Sequence, residues 1–464
     1  MISETRVAVT KLPAAEYPAA TNGRDAVSVA LHQTAQSLGW ADDARGALGR
    51  VITPGARVLI KPNLVLHENQ GGWGLEPLVT HAALVRAATL AALQAGAAGV
   101  LVGDAPLQGC DFAQLLRATE LDEWAATLKR REPRFAGIRD FRRTTCEFIG
   151  GVRHETEDRL PADRFILFNL GGDSLLEAIT DHRDSFRVTC YDPRLLARTH
   201  APGQHQYLIA REVIEADVVI NLPKLKTHKK AGITCALKNL VGINGNKEYL
   251  PHHRLGGAER GGDCYPGGSR VKRALEYVYD RQNMTASMAA RTLWQQAAVQ
   301  LNRVLHLAGD ETGLEGSWSG NDTVWRMSLD LNRVLHYGRA DGTMAESVQR
   351  RVIHLVDAVI AGQGDGPLAS MPLPLGLLLG GANAAAVDYI GAQLLGYDPQ
   401  RVPIVREAFS AFRWPLTAFS PDAVQLCGHA ESVGQAGAQV KQIIHPAGWR
   451  DAAHSAFSCA NDSL

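Results

Sequence analysis

Between Arg57 and Asp104 the chain runs strand, loop, helix, strand, and that grammar constrains the fold more than any other feature. Arg57-Val-Leu-Ile-Lys61 follows Pro54-Gly55 and ends at Pro62, as a buried strand would. Thr80 is placed to cap a helix over Ala82–Ala95, which Gly96 stops, and Gly99-Val-Leu-Val-Gly103 supplies the next strand. A strand–helix–strand crossover of this kind belongs to a parallel sheet. In open α/β sheets ligands bind beyond the carboxyl ends of the strands, so Lys61, Asn63 and Asp104 are expected on one edge.

The same grammar recurs. Tyr207–Glu215 has helical spacing, and Asp217-Val-Val-Ile-Asn221 reads as a buried strand closed by Pro223. Val352–Ile360 and Gly376–Gly381 are strand-like, and Ala382–Leu395 is a helix stopped by Gly396. The expected fold is therefore α/β, with a mostly parallel sheet flanked by helices and a largely helical, Gly-rich insertion. Four regions follow: 1–250, an α/β region carrying the site; 251–345, a Gly-rich lid and helical insertion; 346–430, returning α/β segments that complete the core; and 431–464, a polar tail. The hexamer LNRVLH at 301–306 and 331–336 fits two amphipathic helices and is too short to signal a repeat architecture.

Bulk charge excludes some functions. Lys+Arg and Asp+Glu are 48 each, so nothing global draws the chain to nucleic acid or an anionic membrane, and anion recognition must be local. The N-terminal residues lack the apolar core of a secretory signal. The apolar stretch at 84–102 is too interrupted to span a bilayer, so the expected compartment is the cytoplasm. The seven cysteines are dispersed, with no C-x-x-C pair, which argues against both a disulfide framework and an iron–sulfur cluster.

The chemistry is concentrated at 221–247. In Asn221-Leu-Pro-Lys-Leu-Lys-Thr-His-Lys229, Lys224, Lys226 and His228 share a face if the segment is extended. Lys238 and Asn239 follow ten residues on, and Gly242 allows close backbone approach. Lysine is a compact cationic donor for phosphates and carboxylates, and histidine moves protons or binds metal. His228, Lys238 and Lys226 are thus the candidate catalytic residues. Lys61, Asn63, Thr80, Lys224, Asn239, Gly242 and Asp388 are the candidate ligand-binding ones. Asp104, a carboxylate at a strand end, is the candidate metal ligand, with a divalent metal the cofactor to test for. His252-His253, on a Gly-rich loop, are expected to be exposed.

These segments resemble the domain of unknown function 362 family. The resemblance rests on Val58-Leu-Ile-Lys-Pro-Asn-Leu64, the 80–104 segment, NLPKLKTHKKAGITCALKNLVG, and the DAVIAGQGDGP…AAAVDYIGAQLLGYDP run at 357–399. It frames residues 55–405. The fused ferredoxin-type cysteine module of some family members is absent. A looser likeness of layout to the nickel-pincer lactate racemase group would map onto His228 and Lys238.

The sequence favours an enzyme acting on an anionic small molecule or activated sugar. The alternatives are a non-catalytic ligand-binding accessory protein and a metallocofactor-dependent racemase or redox protein. Three structural expectations follow: Lys61, Asp104 and Lys224–His228 converge in one pocket; the Gly-rich stretch 255–269 is a mobile lid beside it; and Lys238 points inward, with an anion (Asp104, Asp388 or the ligand) in reach. Oligomeric state is not legible.

Overall fold

The structure is a computed structural model that describes residues 2–17, 25–149, 152–156, 160–182, 184–310, 313–430, 432–436 and 442–453. A ten-stranded sheet organises it. Its strands are β1 (Arg6–Lys11), β2 (Arg57–Pro62), β3 (Gly99–Asp104), β4 (Phe135–Asp140), β5 (Val218–Leu222), β6 (Lys224–His228), β7 (Gly232–Thr234), β8 (Arg351–Gln363), β9 (Met371–Gly381) and β10 (Gln425–Gly428). The order across the sheet is β10-β1-β9-β8-β5-β2-β3-β4, with β6 on β8 and β7 on β6. The run from β8 to β4 is parallel, as are β6 with β8 and β1 with β10. Strand β9 runs antiparallel to both its neighbours.

Parallel strands covered on both faces are apolar on both, and period-two alternation then decides which layer each side chain joins. In β2, Val58 and Ile60 join the core beneath helices α1 (Ala26–Ser37) and α2 (Ala82–Gln94), while Leu59 joins the opposite layer. That opposite side is built on three further helices. They are α3 (Ala236–Asn239), α6 (Val324–Tyr337) and α7 (Ala384–Leu394). Between α3 and α6 in sequence lies a hairpin of α4 (Arg270–Met284) and α5 (Met288–Leu307), which packs around a small cluster of its own.

Several expectations are corrected. Tyr207–Ala210 is strand, paired antiparallel with Phe165–Asn169, and only Arg211–Glu215 is helical. The apolar spacing of so short a segment suits either state, and pairing decides it. Residues 255–269 are not a lid. Asp263 and Tyr265 are buried, and Ala258 and Cys264 bond across the loop to Tyr265 and Gly256. The Asp263 carboxylate accepts from the Arg254 and Asp322 amides and the Thr323 hydroxyl. The insertion is shorter than 251–345, because α6 is core, with Leu329, Asp330, Leu331 and Asn332 fully buried. The C-terminal region is not all loose. Trp449 is buried and donates its indole N–H to the Lys229 carbonyl at 2.7 Å, whereas residues 454–464 lie outside the described residues.

Candidate functional site

The carboxyl ends of β2, β3 and β5 meet, as the parallel topology requires, and Asn221 stands in register with Lys61. Asn239, at the end of α3, ties them together. Its Nδ2 donates to Asn221 Oδ1 at 2.7 Å, and its Oδ1 accepts from Asn63 Nδ2 at 2.9 Å. Asn63 Oδ1 in turn accepts from Lys226 Nζ at 3.3 Å. Of the residues expected to share one pocket, Asp104, Lys226 and His228 do, whereas Lys61 and Lys224 do not. Beyond this edge opens a cleft of about 1230 Å³, whose lining includes Asn63, Asp104, Lys226, His228, Lys238 and Lys247.

The lysines in and around this edge divide into two kinds. Lys61 Nζ lies 2.7 Å from Asp104 Oδ1, both groups being buried. Asp104 also accepts from the Leu64 amide at 2.6 Å and the Ala105 amide at 2.8 Å. Burial pulls the Lys61 ammonium below the usual lysine range and lifts Asp104 above the usual carboxylate range, and their mutual attraction opposes both shifts. Lys224 Nζ lies 2.8 Å from Asp357 and donates to the Tyr17 hydroxyl at 2.6 Å. Neither Lys61 nor Lys224 lines the cleft. The ligand-anchoring role expected of them is replaced by neutralisation within the fold.

Lys226, Lys238 and Lys247 line the cleft, and among the described residues none of them makes an ion pair with a carboxylate. Lys226 is bonded to the Leu78 carbonyl at 2.6 Å and the Pro367 carbonyl at 3.3 Å. Burial, then the charges of Lys224 and Lys238, hold its pKa well below the usual lysine range. Lys238 is lowered to about 7 by burial and by the charges of Lys247 and Lys230. Lys247 is lowered to about 8, chiefly by burial and then by Lys230. The inward placement of Lys238 is as expected, but Asp104 and Asp388 are both committed elsewhere.

The histidines carry defined tautomers. His228 Nδ1 accepts from the Lys230 amide at 3.0 Å and the Ala231 amide at 3.2 Å. Burial and the surrounding lysines keep the ring neutral, so its single proton is on Nε2. His228 is thus a neutral hydrogen-bond donor toward the cleft. His252 is the reverse. Its Nδ1 stands 2.7 Å from the Leu250 carbonyl, which can only accept, so Nδ1 carries the proton and Nε2 keeps the lone pair. The His252 ring is also held neutral by burial and by Lys238, Lys247 and Lys230. His252 lines the same cleft as His228, and both His252 and His253 are buried where exposure was expected.

Of the remaining candidates, Thr80 and Asp388 do not line the cleft, whereas Gly242 and Asp104 do. Thr80 donates its hydroxyl to the Leu222 carbonyl at 2.6 Å and accepts from the Asn63 amide at 2.8 Å, which consumes the group. The helix α2 N-terminus is capped by His81 instead, and the His81 amide donates to Asp357 at 2.8 Å. An anion does sit at that helix start, as the dipole favours, but it is the protein's own Asp357. Asp388 accepts from the Ala236 amide at 2.6 Å and the Leu237 amide at 3.2 Å, anchoring α3; burial raises its pKa to about 7. Gly242 lines the cleft, and a Cβ there would overlap Asp104 Oδ1 and stand 2.8 Å from Lys61 Nζ. Its small size serves the buried pair. Asp104 is corrected as a metal candidate: its oxygens are taken, and among the described residues no three His, Cys, Asp or Glu groups are placed to hold a metal ion.

Residues 184–393 match the model of the family described as Domain of unknown function (DUF362). The similarity to that family covers a little under half of the chain. The matched segment contains Lys226, His228, Lys238, Lys247 and His252, together with Asp357 and Asp388. Lys61, Asn63 and Asp104 lie before it. A thylakoid-associated protein of Synechocystis is 21% identical over 358 residues, spanning 77% of this chain and 68% of that protein. A crystal structure of a Thermotoga maritima protein aligns with 75% of this chain at 9% identity and a TM-score of 0.30; this chain spans about half of it, at 52%, and the likeness is too distant to inform the fold. Among the described residues no helix is long and apolar enough to cross a membrane.

Proposed function

We propose that this protein is an enzyme that binds an anionic small molecule in the cleft above β2, β3 and β5. One observation carries the reading: Lys226, Lys238 and Lys247 line a cleft of about 1230 Å³ with no carboxylate paired to them among the described residues. Cations held in a cleft without a counter-ion are costly, and a bound anion removes that cost. Phosphates and carboxylates are the groups that lysine ammoniums recognise as point charges. His228 would donate its Nε2–H to a ligand oxygen, and His252 would accept a proton at Nε2. Such a donor–acceptor pair suits an enzyme better than a passive carrier, since a positioned acid or base contributes about 10²–10⁴-fold to rate.

The test is native mass spectrometry of the purified protein, followed by incubation of the released molecule with parent protein and with His252→Gln. The expected result is an anionic ligand that the parent turns over and the variant binds but does not. A ligand bound without turnover would favour the accessory-protein reading. A neutral ligand would overturn the anion-binding one.

A further inference from the structure

We propose that Lys238 is a covalent lysine, whose amine attacks a carbonyl carbon of the anionic ligand and forms an imine with it. The inference rests on the anion-binding reading of the cleft and names the reactive group its ligand must carry.

Four features of Lys238 separate it from the other lysines. It lines the cleft but is only 7% exposed, so water has little access to its stem. Its carrier is rigid: the Ala236 and Leu237 amides of α3 are fixed by Asp388, and the Leu237 carbonyl accepts from Asn332 Nδ2 at 3.0 Å. Among the described residues its amine has no carboxylate and no hydrogen-bond acceptor, unlike Lys61, Lys224 and Lys226. Finally, its neighbours are cations and neutral rings. Lys247 and Lys230 act on it, and it is the leading charge acting on His228 and on His252. A lysine desolvated beside other cations keeps a large fraction of free amine at neutral pH, which is the nucleophilic form.

The chemistry balances with groups already in the cleft. The amine lone pair forms the C–N bond while the carbonyl π electrons move to oxygen, which takes a proton to give a carbinolamine. His228 Nε2–H stabilises the oxygen as its charge develops. His252 Nε2 carries each nitrogen proton to that oxygen in turn: the first gives the carbinolamine, and with the second the C–O bond breaks and the oxygen leaves as water. Overall the lysine nitrogen gives up two hydrogens and the ligand one oxygen. No oxidant or reductant is required.

The experiment uses pyridoxal 5′-phosphate, an anionic aldehyde, at one equivalent and about pH 7, where ordinary lysines are protonated. Borohydride reduction and peptide mapping then locate the adduct. The expected adduct is on Lys238, is absent in Lys238→Arg, and is suppressed by inorganic phosphate. Lys247→Met leaves the nucleophile in place but removes a neighbouring charge, so the pH of half-maximal adduct should move upward. Phosphate binding without an adduct on Lys238 would overturn the imine and leave the anion pocket standing. An adduct on Lys238 that phosphate does not suppress would leave the imine standing and count against the anion pocket. Adducts spread over exposed lysines, unchanged in Lys238→Arg, would also overturn the imine.

Discussion

Lys224 and Lys238 are fourteen positions apart, both buried, and do opposite things. Lys224 is held by Asp357, by the Tyr17 hydroxyl and by the Ile360 carbonyl, and it does not line the cleft. Lys238 faces the cleft, and the charges acting on it are positive. The contrast between Lys61 and Lys247 is of the same kind. A buried lysine is structural when the fold provides its counter-charge and is available to a ligand when the fold withholds it. The carboxylate, not the lysine, decides.

The comparison is broken most severely by removing a carboxylate. Asp357→Asn leaves Lys224 buried without its counter-ion and takes an anion from the start of α2. Loss of one partner of a buried pair costs about 3–5 kcal/mol. Urea denaturation should show a loss of that size, while Lys238→Met should show none.

Gly242→Ala tests the other pair by crowding it. The new Cβ meets Asp104 and Lys61 at once, and overpacking of this kind costs about 1–3 kcal/mol. Thermal unfolding measures it, and a variant as stable as the parent would show that the backbone at 242 can yield.

The third effect depends on pH. The amine of Lys238 titrates at about 7 in the folded protein, against roughly 10.4 for an unperturbed lysine. Between those values the unfolded chain holds a proton at this position that the folded chain does not. Parent stability relative to Lys238→Met should therefore rise as pH increases from about 7 to about 10, and level off below and above that window. A pH-independent difference would mean that Lys238 is solvated and outside the account.

The sheet was legible because its strands are long apolar runs punctuated by Gly and Pro. The site was legible as a neighbourhood: Lys226, His228, Lys238 and Asn63 do converge. Its division into two kinds of lysine was not. Asp357 lies mid-strand in VIHLVDAVI, with nothing local to mark it as the partner of a residue 133 positions earlier. Thr80 and Asn239 carry the side chains of ligand residues but spend them on backbone and asparagine partners that only the folded topology supplies. His252 was misread because a Gly-rich segment suggests freedom. The segment is instead fixed by the Asp263 carboxylate, which reaches across to Asp322 and Thr323. Glycine count reports what a backbone is able to do, not what its neighbours permit.

The central claim is that Lys226, Lys238 and Lys247 await an anion because the fold pairs none of them with a carboxylate among the described residues. Titration calorimetry with inorganic phosphate, on the parent and on Lys238→Met at about pH 6 and about pH 8.5, tests it most directly. A hydrogen bond to a charged group is worth about 1.5–3 kcal/mol. The parent should therefore bind phosphate roughly tenfold or more tightly than the variant at the lower pH, where the Lys238 ammonium is formed, with the gap narrowing at the higher pH. Equal affinity of parent and variant at both pH values would contradict it.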